Sequence, residues 1–174
     1  MEMINTLIAI CGLPGTGKST VADILSKKIK APVLRTDEIR KKIIEKPTYS
    51  EEEKKLVYKV MFIIAEYLIK QGISCILDAT FNKEENRKEI VKLAERNNVP
   101  LYFIECVCNE EVIRERLRGD KRFSSDANWE VYLKLKSEFE PIKEDHIVVD
   151  TTKGSKEAAD ILIEKLKLLG IIKS

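Results

Sequence analysis

One short segment constrains this chain more than any other. Residues 12–19 read GLPGTGKS, the pattern G-x-x-x-x-G-K-[ST], and they directly follow the apolar run 7–11. Glycines in this pattern let the backbone adopt positive φ and bring its N–H groups close to phosphate oxygens. A helix that starts near Lys18 directs the positive end of its dipole at the same anion. Lys18 also supplies an ammonium for the β- and γ-phosphates, and the Ser19 hydroxyl is an oxygen ligand suited to Mg²⁺.

The segment, called the phosphate loop below, therefore predicts a site for a magnesium nucleoside triphosphate. An ordinary glycine-rich turn is one alternative. A dinucleotide fingerprint fits less well, because Thr20 stands where that fingerprint has its third glycine. The residues predicted to contact the nucleotide are Gly12, Leu13, Pro14, Gly15, Thr16, Gly17, Lys18, Ser19 and Thr20.

Length and composition predict one domain over residues 1–174, large enough to bury a core without disulfides or a structural metal. Lys and Arg number 31 against 29 Asp and Glu, so the net charge of +2 supplies no large positive field for long nucleic acid. The four cysteines lie in or beside apolar runs, which is typical of buried thiols in a reducing compartment. With no export leader and no apolar stretch of membrane-spanning length, we expect a cytoplasmic protein without a membrane partner.

Apolar runs of strand length alternate with stretches of helical period, which is the signature of a parallel sheet covered by helices. The predicted fold class is therefore α/β. Ser50 and Glu53 form a predicted capping box, in which each side chain satisfies the other's free N–H group. The predicted strands are 7–11, 33–35, 74–77, 101–107 and 146–149. The predicted helices are 18–30, 38–45, 51–70, 84–97, 110–117, 128–139 and 156–169.

Loops that follow parallel strands share one edge of the sheet, where ligands bind. Asp78 ends the apolar run 75–77, and a carboxylate there is costly to bury unless it meets a cation. Mg²⁺ beside the phosphate loop is its natural partner, so Ser19 and Asp78 are the predicted metal ligands. A helix cap or another satisfied strand-end carboxylate is the alternative.

Asp37 follows the second predicted strand and precedes Arg40 by three residues. This spacing puts both side chains on one helix face, where they can address the same acceptor. A carboxylate there can take the proton of an attacking hydroxyl. An N-cap role for Thr36 or Asp37 is equally compatible with the sequence.

Two further segments are candidates for nucleotide contact. Residues 118–122 read RGDKR, and phosphoryl transfer uses arginine donors from mobile segments, with Gly119 as the predicted hinge. A solvated charged helix is the alternative. Thr151 and Lys153 follow the last strand and are predicted to approach the nucleotide base, although a turn that caps the final helix is the simpler interpretation.

Together these segments resemble the small P-loop kinases, a group that includes the polynucleotide 5′-kinase domain, gluconate kinase, zeta toxin and chloramphenicol phosphotransferase. Within that group they are most similar to the AAA-type "predicted kinase" family. The resemblance covers nearly the whole chain and is carried by residues 12–20, 36–40, 76–81 with Arg87, and 125–127 before 140–142. It implies a three-layer α/β/α fold with a five-stranded parallel sheet of order 2-3-1-4-5, Asp78 beside the phosphate loop, and a helical lid near 114–140.

The resemblance also implies roles for individual residues. In polynucleotide kinases the motif that matches 37–40 holds the general base and an arginine on the acceptor side, which implies those roles for Asp37 and Arg40. Two lid arginines four residues apart serve the adenine face and the phosphates in related kinases, and Arg118 and Arg122 match that spacing. The lid here continues into residues 125–127, unlike that of polynucleotide kinases, and this departure argues against a polynucleotide acceptor.

The expected activity is transfer of the γ-phosphoryl group of ATP to a hydroxyl, with Mg²⁺ as cofactor. Lys18 holds the phosphates, Asp37 activates the acceptor, and Arg122 stabilises the transferring group. Two alternatives stay open: a polynucleotide or nucleoside 5′-hydroxyl kinase, and a nucleotide-dependent switch or partner-binding module without an acceptor. The sequence specifies neither the acceptor, a small molecule or a nucleic-acid end, nor the oligomeric state. Adenine is assumed because no guanine-recognition motif is present.

Overall fold

The computed structural model describes residues 5–119 and 129–173. Its strands are β1 (Leu7–Cys11), β2 (Val33–Arg35), β3 (Cys75–Asp78), β4 (Leu101–Val107) and β5 (His146–Asp150). They form one parallel sheet in the order β2-β3-β1-β4-β5, which confirms the predicted strand order. All five residues of β1 are buried, because the central strand of a parallel sheet is covered on both faces.

Helices cover both faces of this sheet. They are α1 (Lys18–Ile29), α2 (Thr36–Ile43), α3 (Glu51–Lys70), α4 (Glu84–Arg96), α5 (Glu110–Gly119), α6 (Trp129–Glu138) and α7 (Ser155–Leu168). Successive side chains of a strand point to opposite faces. Accordingly Ile8 and Ile10 pack with α1 and α7 in one core, while Leu7 and Ala9 pack with α3 and α4 in the other. The three-layer α/β/α architecture is thereby confirmed.

The start of α2 differs from the prediction in a way that matters for the site. The helix begins at Thr36 rather than at 38, and Arg35 is its N-cap residue without a side-chain cap hydrogen bond. The N-cap interpretation of Thr36 or Asp37 is therefore wrong. Asp37 lies inside the first turn, where a carboxylate is favoured by the helix dipole.

The end of α5 also differs from the prediction. The helix continues through Gly119, past the expected end at 117. Arg118 and Gly119, the first two residues of the segment 118–122, are therefore helical, which agrees with the alternative of a charged helix for this part of the segment. Arg122 and residues 125–127 lie outside the described residues.

One of the two hydrogen bonds of the predicted capping box is present at the start of α3. Ser50 is the N-cap residue, and its hydroxyl accepts a hydrogen bond from Glu53 N at 3.2 Å. The Glu53 carboxylate, however, accepts from the backbone N–H groups of Thr48 at 2.6 Å and Tyr49 at 3.2 Å. Glu53 thereby ties the chain before α3 to the helix itself.

Three of the four cysteines are buried free thiols, as their positions in apolar runs predict. Burial raises the pKa of Cys75 and of Cys106 to about 12, so both stay protonated and unreactive near neutral pH. Across residues 5–119 and 129–173, no helix is both long enough and apolar enough to cross a membrane.

Candidate active site

The phosphate loop connects β1 to α1, and Gly12 and Gly17 show why the loop contains glycine. Gly12 has φ of +145° and Gly17 has φ of +82°. A Cβ on Gly12 would lie 2.5 Å from the Cys106 carbonyl oxygen, and one on Gly17 would lie 2.1 Å from Ser155 Oγ. Both residues therefore supply a backbone conformation and a close approach that other residues cannot. Thr20 lies in the first turn of α1, half-buried.

The two reactive side chains of the loop already have partners. Lys18 Nζ donates to the carbonyl oxygen of Leu13 at 3.0 Å, so the ammonium folds back over the loop. Ser19 Oγ donates to Asp78 Oδ2 at 3.0 Å. The two predicted metal ligands, which come from α1 and β3, are thus brought into direct contact.

Arg35 is a member of this site that sequence reasoning missed. Its Nε donates to Asp78 Oδ2 at 2.9 Å, and its Nη2 donates to the Ser19 carbonyl oxygen at 3.2 Å. A further ion pair joins Arg35 to Asp23 on α1. Because Asp78 is only 4% exposed, this guanidinium is the cation that compensates its buried charge. The sequence signal was a charged residue ending an apolar strand immediately before Thr36.

Ser19 and Asp78 fit a magnesium ion by donor type and number. Mg²⁺ is usually held by one or two protein oxygens together with phosphate oxygens and water. Within residues 5–119 and 129–173, no group of three or more His, Cys, Asp or Glu side chains could hold a metal. Phosphate oxygens and water would complete the coordination of such an ion.

Asp37 and Arg40 lie on one face of α2, as their spacing predicts. Arg40 Nη1 lies 3.2 Å from Asp37 Oδ1, and Arg40 Nε lies 3.0 Å from Glu53 Oε1. The Arg40 guanidinium also stands over the ring of Tyr49, 4.9 Å from its centroid. Arg40 is 8% exposed, so its charge is committed to these three neighbours and orients Asp37.

The charge state of Asp37 is set by opposing influences. Burial raises the pKa of this carboxyl above its usual value, and the negative charge of Asp78 acts in the same direction. The charges of Arg40 and Lys18 lower the pKa but do not cancel the effect of burial. A carboxylate with a raised pKa is a stronger base than an ordinary aspartate, which suits proton abstraction from a hydroxyl.

The loop between β3 and α4 is held by groups that the sequence did not reveal. Phe81 is fully buried and has φ of +47°, a strained conformation for a bulky residue. Tyr58 Oη accepts a hydrogen bond from Phe81 N at 3.2 Å, and Arg87 Nη1 donates to the Phe81 carbonyl oxygen at 2.7 Å. Both backbone groups of the strained residue are therefore satisfied by side chains.

Arg87 has a second function in the same region. Its Nη2 donates to the carbonyl oxygens of Glu140 at 3.1 Å and Pro141 at 3.0 Å, and its Nε lies 3.4 Å from Glu144 Oε2. Arg87 is 0% exposed. One buried guanidinium thus ties the start of α4 to the chain that leaves α6.

Arg116 on α5 contacts the phosphate loop from the side of β4 and β5. Arg116 Nη1 donates to the Gly15 carbonyl oxygen at 3.2 Å and to Thr151 Oγ1 at 3.1 Å, and its Nη2 donates to the Thr151 carbonyl oxygen at 2.7 Å. The buried Thr151 hydroxyl in turn donates to the Thr16 carbonyl oxygen at 2.6 Å. Arg116 and Thr151 therefore support the backbone of the loop.

Arg118 and Lys153 are exposed, and nucleotide contacts for them and for Thr151 stay predictions. The predicted catalytic residue Arg122 lies outside the described residues.

A cleft of about 390 Å³ opens beside the phosphate loop. Lys18, Asp37 and Asp78 line it together with residues of α3, α6 and the loop after β3. Most of these side chains are polar or charged. The cleft therefore joins the phosphate loop to a space that can hold a hydrophilic second substrate.

Comparison with known proteins decides the family. A model of the AAA domain family AAA_33 matches residues 7–142, which span all the elements from β1 to α6. The chain belongs to the AAA_33 family.

Relatives of this AAA_33 domain include several kinases. The Sorangium cellulosum protein named "Probable bifunctional SAT/APS kinase 2" is 25% identical over 98% of this chain and 30% of its own length. Rat 6-phosphofructo-2-kinase/fructose-2,6-bisphosphatase 1 is 25% identical over 70% of this chain and 29% of its own length. The chain thus spans less than a third of the length of these curated relatives.

A solved structure shows the same fold. The Mycobacterium tuberculosis APS kinase CysC, in complex with AMPPNP and APS, superposes with a TM-score of 0.73 at 18% identity, covering 95% of this chain and 99% of that one. At this identity the likeness shows the P-loop kinase fold of the AAA_33 domain.

Proposed function

We propose that this AAA_33 domain is an ATP- and Mg²⁺-dependent kinase that transfers the γ-phosphoryl group to a hydroxyl of a small acceptor. The single observation that supports the proposal best is that one cleft is lined by Lys18, Asp78 and Asp37. The first two are suited to a magnesium nucleotide, and the third is a carboxylate with a raised pKa. A switch that only hydrolyses ATP has no need of a base for an alcohol, so the arrangement favours a transferase.

In the proposed reaction the phosphate loop binds the β- and γ-phosphates. The free N–H groups at the start of α1 and the ammonium of Lys18 supply positive potential where charge accumulates during transfer. A bound Mg²⁺, held by Ser19 and Asp78, would supply further neutralisation of the phosphate oxygens. Arg35 keeps the Asp78 carboxylate fixed toward Ser19.

Asp37 is the proposed general base. Its carboxylate accepts the proton of the acceptor hydroxyl as that oxygen bonds to the γ-phosphorus, and the bond from the γ-phosphorus to the bridging oxygen breaks to release ADP. Arg40 orients this carboxylate, and its charge opposes the effect of burial by lowering the pKa of the carboxyl. We assign Arg40 as a positioning residue because its guanidinium is already paired with Asp37 and Glu53.

The test is a transfer screen with γ-labelled ATP and Mg²⁺ against pooled nucleosides, sugars, antibiotics and 5′-hydroxyl oligonucleotides. Wild-type protein is expected to place label in an organic product. Lys18→Ala should reduce that transfer by about a hundredfold or more, because it removes a preorganised charge from the phosphates. The control is Lys28→Ala, which changes an exposed lysine of the same helix and should keep full activity.

The screen also separates the alternatives. Label that appears only in inorganic phosphate, at a rate that no hydroxyl compound changes, would contradict the kinase proposal and support a hydrolytic switch. Label on the oligonucleotides alone would identify a polynucleotide 5′-hydroxyl kinase instead of a kinase of small acceptors.

A further inference from the structure

Lysines other than Lys18 also line the cleft. Lys54 and its neighbour Lys55 lie on α3, Lys83 is the N-cap residue of α4, and Lys134 lies on α6. Lys54, Lys83 and Lys134 come from separate elements, yet they line the same cleft as Asp37. We call these three residues the rim lysines.

One of the rim lysines pairs with an exposed carboxylate of the same cleft, Glu51. Lys54 Nζ lies 2.7 Å from Glu51 Oε1. The pKa of Glu51 is lowered first by this hydrogen bond and also by the charges of Lys134 and Lys83. The charges of all three lysines thus favour the ionised form of this one carboxyl. Lys83 also lies 3.6 Å from the carboxylate of Glu140.

The existing ion pairs of the rim lysines are easily exchanged. The Glu51 side chain is 70% exposed, and the Lys83 and Glu140 side chains are 42% and 46% exposed. Ion pairs at such exposed positions contribute little free energy, because water solvates the separated charges nearly as well. An incoming anion can therefore replace these carboxylates as a partner of the lysines at small cost.

The rest of the cleft is suited to hydroxyl groups. The carboxylates of Glu85 and Glu138 and the amides of Asn82 and Asn86 also line it, and all four are hydrogen-bonding side chains. These carboxylates would repel an anion but accept hydrogen bonds from hydroxyls. The volume of about 390 Å³ is near the lower end for small-molecule sites.

We infer that the acceptor is a small hydroxylated anion, whose phosphate or carboxylate group binds the rim lysines while one of its hydroxyls approaches Asp37. This inference deepens the proposed function and rests on it for the transfer step. The anion-binding part concerns the rim lysines alone and can be tested without any phosphoryl transfer.

The first experiment measures anion binding. Protein saturated with magnesium AMPPNP, which fills the phosphate loop, is titrated with sulfate in one arm and with acetate in the other, by calorimetry at constant ionic strength. We expect at least one of the two anions to bind. The comparison of the sulfate and acetate titrations then shows whether the site prefers a tetrahedral anion or a carboxylate. The triple variant Lys54→Ala/Lys83→Ala/Lys134→Ala should weaken that binding by about tenfold or more, because charge-assisted hydrogen bonds are lost.

The control variant is Lys92→Ala. Lys92 is an exposed lysine of α4 that pairs with Glu89 and does not line the cleft. Its removal should leave anion binding unchanged. Binding of neither anion, or equal binding by the triple variant and wild type, would overturn the inference.

The second experiment compares matched acceptors in the transfer assay: D-ribose with D-ribose 5-phosphate, and D-glucose with D-gluconate. Transfer to an anionic member at least tenfold better than to its neutral partner supports the inference, and equal transfer to the neutral partner overturns it. Anion binding that depends on the rim lysines, with no label on any hydroxyl compound, would contradict the proposed function while leaving the anion site established.

Discussion

Asp37 shows how the residues around one side chain set its chemistry. Arg40 contacts Asp37, and Arg40 is itself fixed by Glu53 and by the ring of Tyr49. Burial favours the protonated form of Glu53, but hydrogen bonds from Thr48 and Tyr49 outweigh it and lower the pKa of Glu53 below its usual value. Glu53 therefore stays ionised, and a chain of alternating charges runs from α3 to the proposed base.

The first prediction concerns the titration of Asp37. The carboxyl carbon of Asp37, followed by NMR, should titrate above the range of an ordinary aspartate, because burial raises its pKa. Arg40→Gln should raise the midpoint further, since a neighbouring cation lowers the pKa of a carboxyl and the variant removes it. Arg96→Gln, far from Asp37 on α4, should leave the midpoint unchanged.

The sign of the accompanying stability change follows from the same pKa. Because the pKa of Asp37 is higher in the folded protein than in the unfolded chain, its contribution to stability is complete below the unfolded pKa. That contribution is lost as pH rises through the folded pKa. A wild-type midpoint at or below the ordinary value would contradict the assigned environment.

At the scale of elements, the loop between β3 and α4 depends on Arg87. This residue supports the strained Phe81 and the chain around Glu140 at the same time. Glu140 also accepts a hydrogen bond from Glu84 N at 2.5 Å, so the end of the α6 region caps the start of α4. These contacts therefore help to fix the positions of Asn82 and Lys83, which form part of the cleft wall.

The second prediction is that Arg87→Met destabilises the protein by about 3–5 kcal/mol. The variant removes a buried cation and leaves the carbonyl oxygens of Phe81, Glu140 and Pro141 without their donors. Urea unfolding measures the loss. Arg96→Met, on the same helix, breaks a partly exposed bidentate pair with Glu66 and should cost clearly less, about 1 kcal/mol. Equal small losses in both variants would show that Arg87 is not the link between α4 and the α6 region.

Sequence patterns predicted most elements because their causes are local. The bounds of β1, β2 and β4 match the prediction, since β1 and β4 are apolar runs followed by turn residues and β2 is a short run bounded by Pro32 and the start of α2. The start of α2 was missed by two residues because Arg35, a residue without a typical capping side chain, takes the N-cap position. The left-handed conformation of Phe81 had no local signal, because a bulky residue is rarely found there.

At the scale of the whole molecule, the strand order assembles the site. β1 lies between β3 and β4, so the phosphate loop after β1 is adjacent to Asp78 at the end of β3. β2 lies next to β3, which brings Arg35 and Asp37 to the same edge of the sheet. Right-handed crossovers put all these loops on one side, as in other α/β proteins.

The contacts that sequence reasoning missed are those between distant parts of the chain. The sequence selected Asp37, Asp78 and the phosphate loop as candidate site residues, because each lies at the end of a recognisable strand or directly after one. It did not identify the links of Arg35 to Asp78 or of Arg116 to Gly15, because nothing near an arginine in the sequence specifies a partner that only the fold brings close. The cleft and its rim lysines depend on the same long-range assembly.

The most direct test of the account is the Asp37→Asn variant, compared with wild type in single-turnover transfer from γ-labelled ATP to the acceptor found in the screen. We predict that the variant retains magnesium ATP binding, because the phosphate loop, Ser19 and Asp78 are unchanged. Transfer should fall by about a hundredfold or more, because no carboxylate remains to accept the hydroxyl proton. Transfer at the wild-type rate by a folded Asp37→Asn protein would contradict the central claim that this cleft activates a hydroxyl through Asp37.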